Sequence, residues 1–263
     1  MRDCTTEAPR YQAKRADFTA SIFSGGLRLC STIPDVCCVR QGFLAWNFES
    51  GTPDLADRPR CAPVVGSTVM SNFRVCIYCG SSRQCDSAYL RAAARLGREL
   101  AHNRATIVYG GGAVGLMGAL ADGALAEGGK VVGIIPGFMN ELEWGHRGLT
   151  ELRIVNDLHE RKRLMIQDAH AVVALPGGSG TFDELLEAIS LKRLAVFLGP
   201  IVLLNTQSYF DHLLLALERC VSERFMDARH TSMWSVVKEP EEVWPAIHSA
   251  PPWDSSSISF AGV

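Results

Sequence analysis

Two short segments of this sequence combine residue types that can hold an anion and act on what is attached to it. In Leu175-Pro176-Gly177-Gly178-Ser179-Gly180-Thr181-Phe182-Asp183-Glu184, glycines and hydroxyl side chains stand where a helix should begin. Backbone N–H groups in such a turn, with a hydroxyl beside them, suit a phosphate. No lysine follows at the spacing an ATP-binding loop requires, so this is not a Walker motif. Glu184 falls about one turn into the helix, where its carboxylate can face the same ligand, while Asp183 suits the positive end of the helix dipole. The second segment, His159-Glu160-Arg161-Lys162-Arg163, opens another helix. Consecutive cations at a helix start oppose its dipole, a local conflict that an anion bound there would relieve. Arg161 and Lys162 are the candidates for that anion or for charge near it, with Arg163 facing water.

A third loop, Gly110-Gly111-Gly112-Ala113-Val114-Gly115-Leu116-Met117-Gly118, lets backbone approach a ligand and contains a formal G-x-G-x-x-G. A dinucleotide site would place that motif after the first strand and an acid at the end of the next. Here the next strand ends in Ile135-Pro136-Gly137, which argues against NAD. The histidines are dispersed and no His/Cys/Asp cluster has ligand spacing, so neither a metal nor another cofactor is expected. Cys76-Ile77-Tyr78-Cys79 lies inside an apolar run and reads as buried cysteines on a strand rather than as a redox or zinc site. None of Lys14, Lys130, Lys162, Lys192 and Lys238 is marked as a Schiff-base lysine.

The elements that must position these loops follow from periodicity. Short apolar runs read as buried parallel strands at 74–79, 106–109, 130–136, 171–175 and 201–204. Helical patterns fall between and after them, at 87–102, 116–127, 158–168, 182–194, 210–222 and 240–248. Strand-helix alternation implies a doubly wound, Rossmann-like parallel sheet in three layers, with ligands beyond the carboxyl ends of the strands. The glycine-rich loops at 110–118 and 176–184 stand just there, directly after the second and fourth of these strands.

The chain has 263 residues, 47% of them hydrophobic, enough for one enzyme-sized core at 70–250. Its net charge of −2 supplies no global field for a nucleic-acid backbone, and no apolar run is long enough to span a membrane. Residues 1–69 show no sustained period and read as a disordered or mis-started extension ahead of Met70. A transit peptide fits poorly, because Asp3, Glu7 and Asp17 interrupt its cations. Residues 251–263 read as a disordered tail. Nine cysteines, an odd number with no secretory pattern ahead of them, point to free thiols in a reducing, cytoplasmic setting.

Taken together, PGGSGTFDE (176–184), YGGGAVGLMG (109–118), CGSS (79–82) and HERK (159–162) resemble the LOG family of cytokinin riboside 5′-monophosphate phosphoribohydrolases, proteins often labelled lysine decarboxylases. The resemblance covers about residues 73–248. It implies a Rossmann-like homodimer that hydrolyses AMP or N6-substituted adenosine monophosphates to free base and ribose 5-phosphate. It further implies Arg161 and Glu184 as the catalytic pair. Lys162, Gly177, Gly178, Ser179, Gly180 and Thr181 match phosphate- and ribose-contacting positions. Ser81, Gly111, Gly112, Glu143, Phe182, Asp183 and Ser190 complete the substrate-binding set. Leu191-Lys192-Arg193-Leu194 replaces the family's usual Trp-Ala-Gln-Leu, a departure that bears on base preference.

Cleavage of a ribosyl C–N bond builds oxocarbenium character on the sugar, which a carboxylate such as Glu184 can stabilise while it positions water. A guanidinium is too weak an acid to protonate the departing base, so Arg161 suits electrostatic support. The competing reading is a non-catalytic nucleotide or cofactor carrier, which could keep the glycine loops but would need neither charged side chain.

Overall fold

The computed structural model describes residues 73–142 and 144–262; the expectations for residues 1–69 and for Glu143 lie outside the described residues. The described chain alternates strand and helix: β1 Arg74–Tyr78, α1 Ser87–His102, β2 Thr106–Tyr109, α2 Gly115–Ala126, β3 Lys130–Pro136, α3 Gly137–Glu141, β4 Glu151–Val155 and α4 Leu158–Ile166. It continues with β5 Ala171–Ala174, α5 Ser179–Arg193, β6 Ile201–Leu204, α6 Asp211–Ser222, β7 Trp234–Val237 and α7 Val243–Ser249. The strands form one seven-stranded sheet in the order β4-β3-β2-β1-β5-β6-β7, with every pairing parallel. The order reverses at β1, whose neighbours are β2 and β5, so the topological switch point lies between β1 and β5.

Alternation along β1 sends side chains to two cores. Val75, Ile77 and Cys79 join Leu96, Leu120 and Val243 on the α1/α2/α7 face, whereas Cys76 and Tyr78 join Met165, Leu185 and Phe210 on the other. Because both faces are covered, the inner strands read as unbroken apolar runs, and for that reason all five were legible in the sequence. Cys76 and Cys79 are buried free thiols, as expected of a strand. Burial pushes both of them well above the ordinary thiol range.

Three differences from the sequence reading have physical causes. The outer strands β4 and β7 were not anticipated. β4 carries an exposed Glu151–Arg153 ion pair at 2.6 Å, a charged pattern that suits an edge strand and hides its period. The region read as one helix at 240–248 is a 3-10 turn at Pro240–Glu242 followed by α7. Finally, residues 251–262 are folded rather than a tail. Asp254 caps a 3-10 helix at Ser255–Phe260, Trp253 Nε1 donates to Lys192 O at 2.9 Å, and Arg193 Nε donates to Ala261 O at 2.7 Å. Trp253 and Phe260 meet edge to face, and these two rings supply the apolar grip that a Ser- and Pro-rich composition conceals.

Candidate active site

At the switch point the β1 and β5 loops are laced together. Gly80 N donates to Pro176 O at 3.0 Å and Leu175 N to Tyr78 O at 2.8 Å. Beyond them opens a cavity of about 560 Å³, bounded by the loops after β1, β2 and β3, by α4 and by the start of α5. Its lining combines polar residues, Ser81, Arg83 and 178–181, with the apolar side chains of Val114, Met117, Ile135, Met139 and Trp144. Arg161 and Glu184 line it as well.

α4 begins where Asp157 accepts from the His159 and Glu160 backbone N–H groups, both at 2.8 Å, and Glu160 reaches back to Asn156 N at 2.9 Å. These two acids offset the cationic run at the helix start, so an anion is not needed to explain it. The three cations of the run then diverge. Arg163 is exposed. Lys162 turns away from the cavity and is held by Asp183 and Glu187, at 2.9 Å each. Arg161 turns inward and is 7% exposed. Its Nε donates to Ile134 O at 3.1 Å and its Nη2 to Gly110 O at 3.2 Å, which fixes the guanidinium against the ends of β3 and β2. Gly110 is required for this fit, since a Cβ there would overlap the guanidinium. Nη1 lies 3.4 Å from Glu184 Oε1.

Glu184 is 5% exposed. Burial pushes its carboxyl up to about 7, and Arg161 pulls it only part of the way back. α5 starts at Gly178 without any side-chain cap, so its first N–H groups have no side-chain acceptor, and residues 178–181 line the cavity. Thr181 is buried beside them, in space that a Cβ on Gly177 would occupy. The Gly177 carbonyl in turn accepts from the Tyr209 hydroxyl.

Of the sequence-predicted residues, Arg161, Glu184, Ser81, Gly112, Gly178, Ser179, Gly180 and Thr181 therefore meet at one cavity. Others do not line it. Gly111, with φ +74, packs behind it against Ile134 and Ile135, and Gly177 lies beneath the α5 start. Phe182 stacks on Tyr209 with ring centroids 6.1 Å apart, supporting α5 from the side. Asp183 is tied to Lys162, and Ser190 lies on an exposed turn of α5, donating to Leu186 O. Sequence reasoning missed Arg83, Met139 and Trp144. Trp144 sits in a stretch without period, and its placement comes from Ala113 N donating to Trp144 O at 2.9 Å and from a Gly112–Gly145 bridge.

Among the described residues no group of three or more His, Cys, Asp or Glu is arranged to hold a metal, and no helix is long and apolar enough to cross a membrane.

Comparison with known proteins adds sequence relatives and fold relatives. A family described as "Possible lysine decarboxylase" matches residues 117–247. A cytokinin riboside 5′-monophosphate phosphoribohydrolase of Rhodococcoides fascians is 39% identical over 193 residues, spanning 71% of this chain and 98% of the relative. A protein of the same name from Arabidopsis thaliana is 35% identical over 198 residues, spanning 72% and 93%. Among solved structures, a molybdenum cofactor binding protein of Rippkaea orientalis aligns with TM-score 0.54 at 20% identity, covering 68% of this chain and 98% of that one. The molybdenum cofactor carrier protein of Chlamydomonas reinhardtii aligns equally well and, like the first, shows the shared fold alone. A decarboxylase of lysine working through pyridoxal would need a lysine amine for its Schiff base. Among the described residues no lysine lines the cavity: Lys162 is ion-paired outside it, and Lys192 donates to Gly199 O near the far end of α5.

Proposed function

The chain belongs to the LOG family of cytokinin riboside 5′-monophosphate phosphoribohydrolases, and from that premise we propose that Arg161 and Glu184 cut the N-glycosidic bond of an adenosine 5′-monophosphate in this cavity. The reaction hydrolyses that bond, releasing the free base and ribose 5-phosphate. The observation that carries the assignment is the buried Arg161–Glu184 pair beside the open start of α5.

The 5′-phosphate binds the uncapped N–H groups of 179–181, and the base lies against the apolar wall near Trp144 and Met117. This brings the ribose over Glu184. As the C1′–N bond breaks, its electron pair leaves with the base, water adds at C1′, and the proton released from water balances the base nitrogen. The Glu184 carboxylate stabilises the cationic sugar and orients the water. The Arg161 guanidinium, fixed by two backbone carbonyls, supports the negative charge growing on the departing base without giving up a proton.

A homodimer is part of the proposal. Phe138, Trp144, Ile154 and Leu158 leave large apolar surface exposed on and beside β4, an edge strand. A cytoplasmic location is supported by the four free cysteines among the described residues, and a small-molecule partner rather than nucleic acid by the chain's net charge of −2. The test is incubation with a panel of nucleoside 5′-monophosphates, scored by chromatography for free base. Release of base from at least one is expected. Tight binding of a monophosphate with no base released would favour the carrier reading instead.

A further inference from the structure

Among the described residues the cavity lining leaves one cation without an assignment. A nucleoside 5′-monophosphate brings close to two negative charges, and Lys162, the residue the sequence offers to meet them, is outside the cavity and saturated by Asp183 and Glu187. Arg161 does line the cavity, but its guanidinium is committed to Gly110 O, Ile134 O and Glu184. Arg83 is the other cation lining the cavity among the described residues. It stands on the β1 loop, which also brings Ser81 to the cavity. Among the described residues Arg83 has no hydrogen-bond or ion-pair partner, and its side chain is exposed.

The backbone that carries Arg83 is nevertheless fixed. Met117 N donates to Gly80 O at 3.2 Å, Gln84 N to Ser82 Oγ at 3.1 Å, and Cys85 Sγ to Ser82 O at 3.5 Å. Gly80 touches Gly177, which places the β1 loop beside the turn that opens α5. A long side chain with a planar fork of donors, mounted on a held loop next to uncapped N–H groups, is suited to bidentate capture of a phosphate.

We propose that Arg83 is the cation that grips the substrate's 5′-phosphate, closing on it from the β1 loop while the α5 N–H groups hold it from the other side. This rests on the hydrolase reading for the identity of the substrate, but not for the phosphate contact itself. Arg83 thereby sets substrate affinity, and Lys162 does not.

The experiment compares Arg83→Gln, Arg83→Lys and Lys162→Gln with the wild type in the full chain, using calorimetry with ribose 5-phosphate and steady-state kinetics with AMP. Loss of one charge-assisted contact weakens binding about tenfold or more. Arg83→Gln is therefore expected to bind ribose 5-phosphate at least tenfold more weakly and to raise KM for AMP in step, with kcat changed far less. Arg83→Lys should recover part of the loss, and Lys162→Gln should stay within about threefold of wild type by the same reasoning. Unchanged ribose 5-phosphate affinity in Arg83→Gln overturns the assignment, as does a larger loss in Lys162→Gln or no binding by the wild type. If ribose 5-phosphate binds and responds as stated but no monophosphate releases base, the hydrolase reading fails and the phosphate contact stands.

Discussion

Arg161 Nη1 and Glu184 Oε1 lie 3.4 Å apart in a buried setting, yet the carboxyl is held at about 7, well above its ordinary range. Burial of the charge outweighs the attraction of the guanidinium, because the same low-dielectric surroundings that strengthen the pair also penalise ionisation. The direction sets a pH dependence. The reaction needs the carboxylate, so kcat/KM, which reports the free enzyme, should fall about tenfold per pH unit below 7 and level off above it. A pH profile that stays flat from 5.5 to 8 would remove Glu184 from that role.

Glu184→Gln keeps the shape of the side chain and removes its charge. Loss of one preorganised electrostatic partner lowers the chemical step on the order of 100- to 1000-fold. Nucleotide binding should survive, because the proposed contacts to the phosphate and the base are made by other residues of the cavity lining. Single-turnover release of base from bound monophosphate separates the two effects, and near wild-type release would leave another group as the catalyst. Arg161→Ala should also be severely impaired. The double variant should lose much less than the product of the single effects, since both groups serve one transition state.

Gly110 gives a subtler probe of the same pair. An alanine methyl there would overlap the Arg161 guanidinium, a flexible group that can move aside without disturbing the strands. The fold should therefore persist while the guanidinium loses its place beside Glu184. Misplacement of a catalytic group by about 1 Å can lower turnover on the order of 100-fold. Thermal melting compared with kcat for Gly110→Ala checks this, and activity within a few-fold of wild type would show that the exact seat of Arg161 does not matter.

How much of this was legible depended on where each residue's partners come from. The five inner strands were readable because burial on both faces gives them unbroken apolar runs, while β4 and β7 were hidden because edge strands tolerate Arg153 and Ser235. Arg161, Glu184 and the 177–181 turn were readable because charged and glycine-rich residues at strand ends rarely have another use. The placement of Lys162 was not legible because its ion pairs come from another helix, α5, and no local pattern encodes them. Arg83 and Trp144 were missed because they lie in loops without period, and only the packing of the glycine loops against one another brings them to the cavity.

The folding of the C-terminal segment onto α5 yields the last prediction. Lys192 is 2% exposed, donates to Gly199 O at 2.7 Å and lies 5.7 Å from the centre of the Trp253 ring, with no acid as partner. Burial lowers its ammonium from 10.5 to about 8. Between those two values the unfolded chain holds a proton that the folded chain has released, so stability rises with pH across that window. Below about 8 both states carry the proton and this contribution is constant. Lys192→Met fills similar volume and removes the titration. The wild type should therefore gain on the variant by about 1 to 2 kcal/mol between pH 7.5 and 10.5, less than the full shift would give because the ammonium keeps some screening. Urea midpoints for the two proteins at both pH values measure that difference. A wild-type stability that does not rise relative to the variant's with pH would mean that the ammonium beside Trp253 is not desolvated, and that the C-terminal segment is not packed over it in solution.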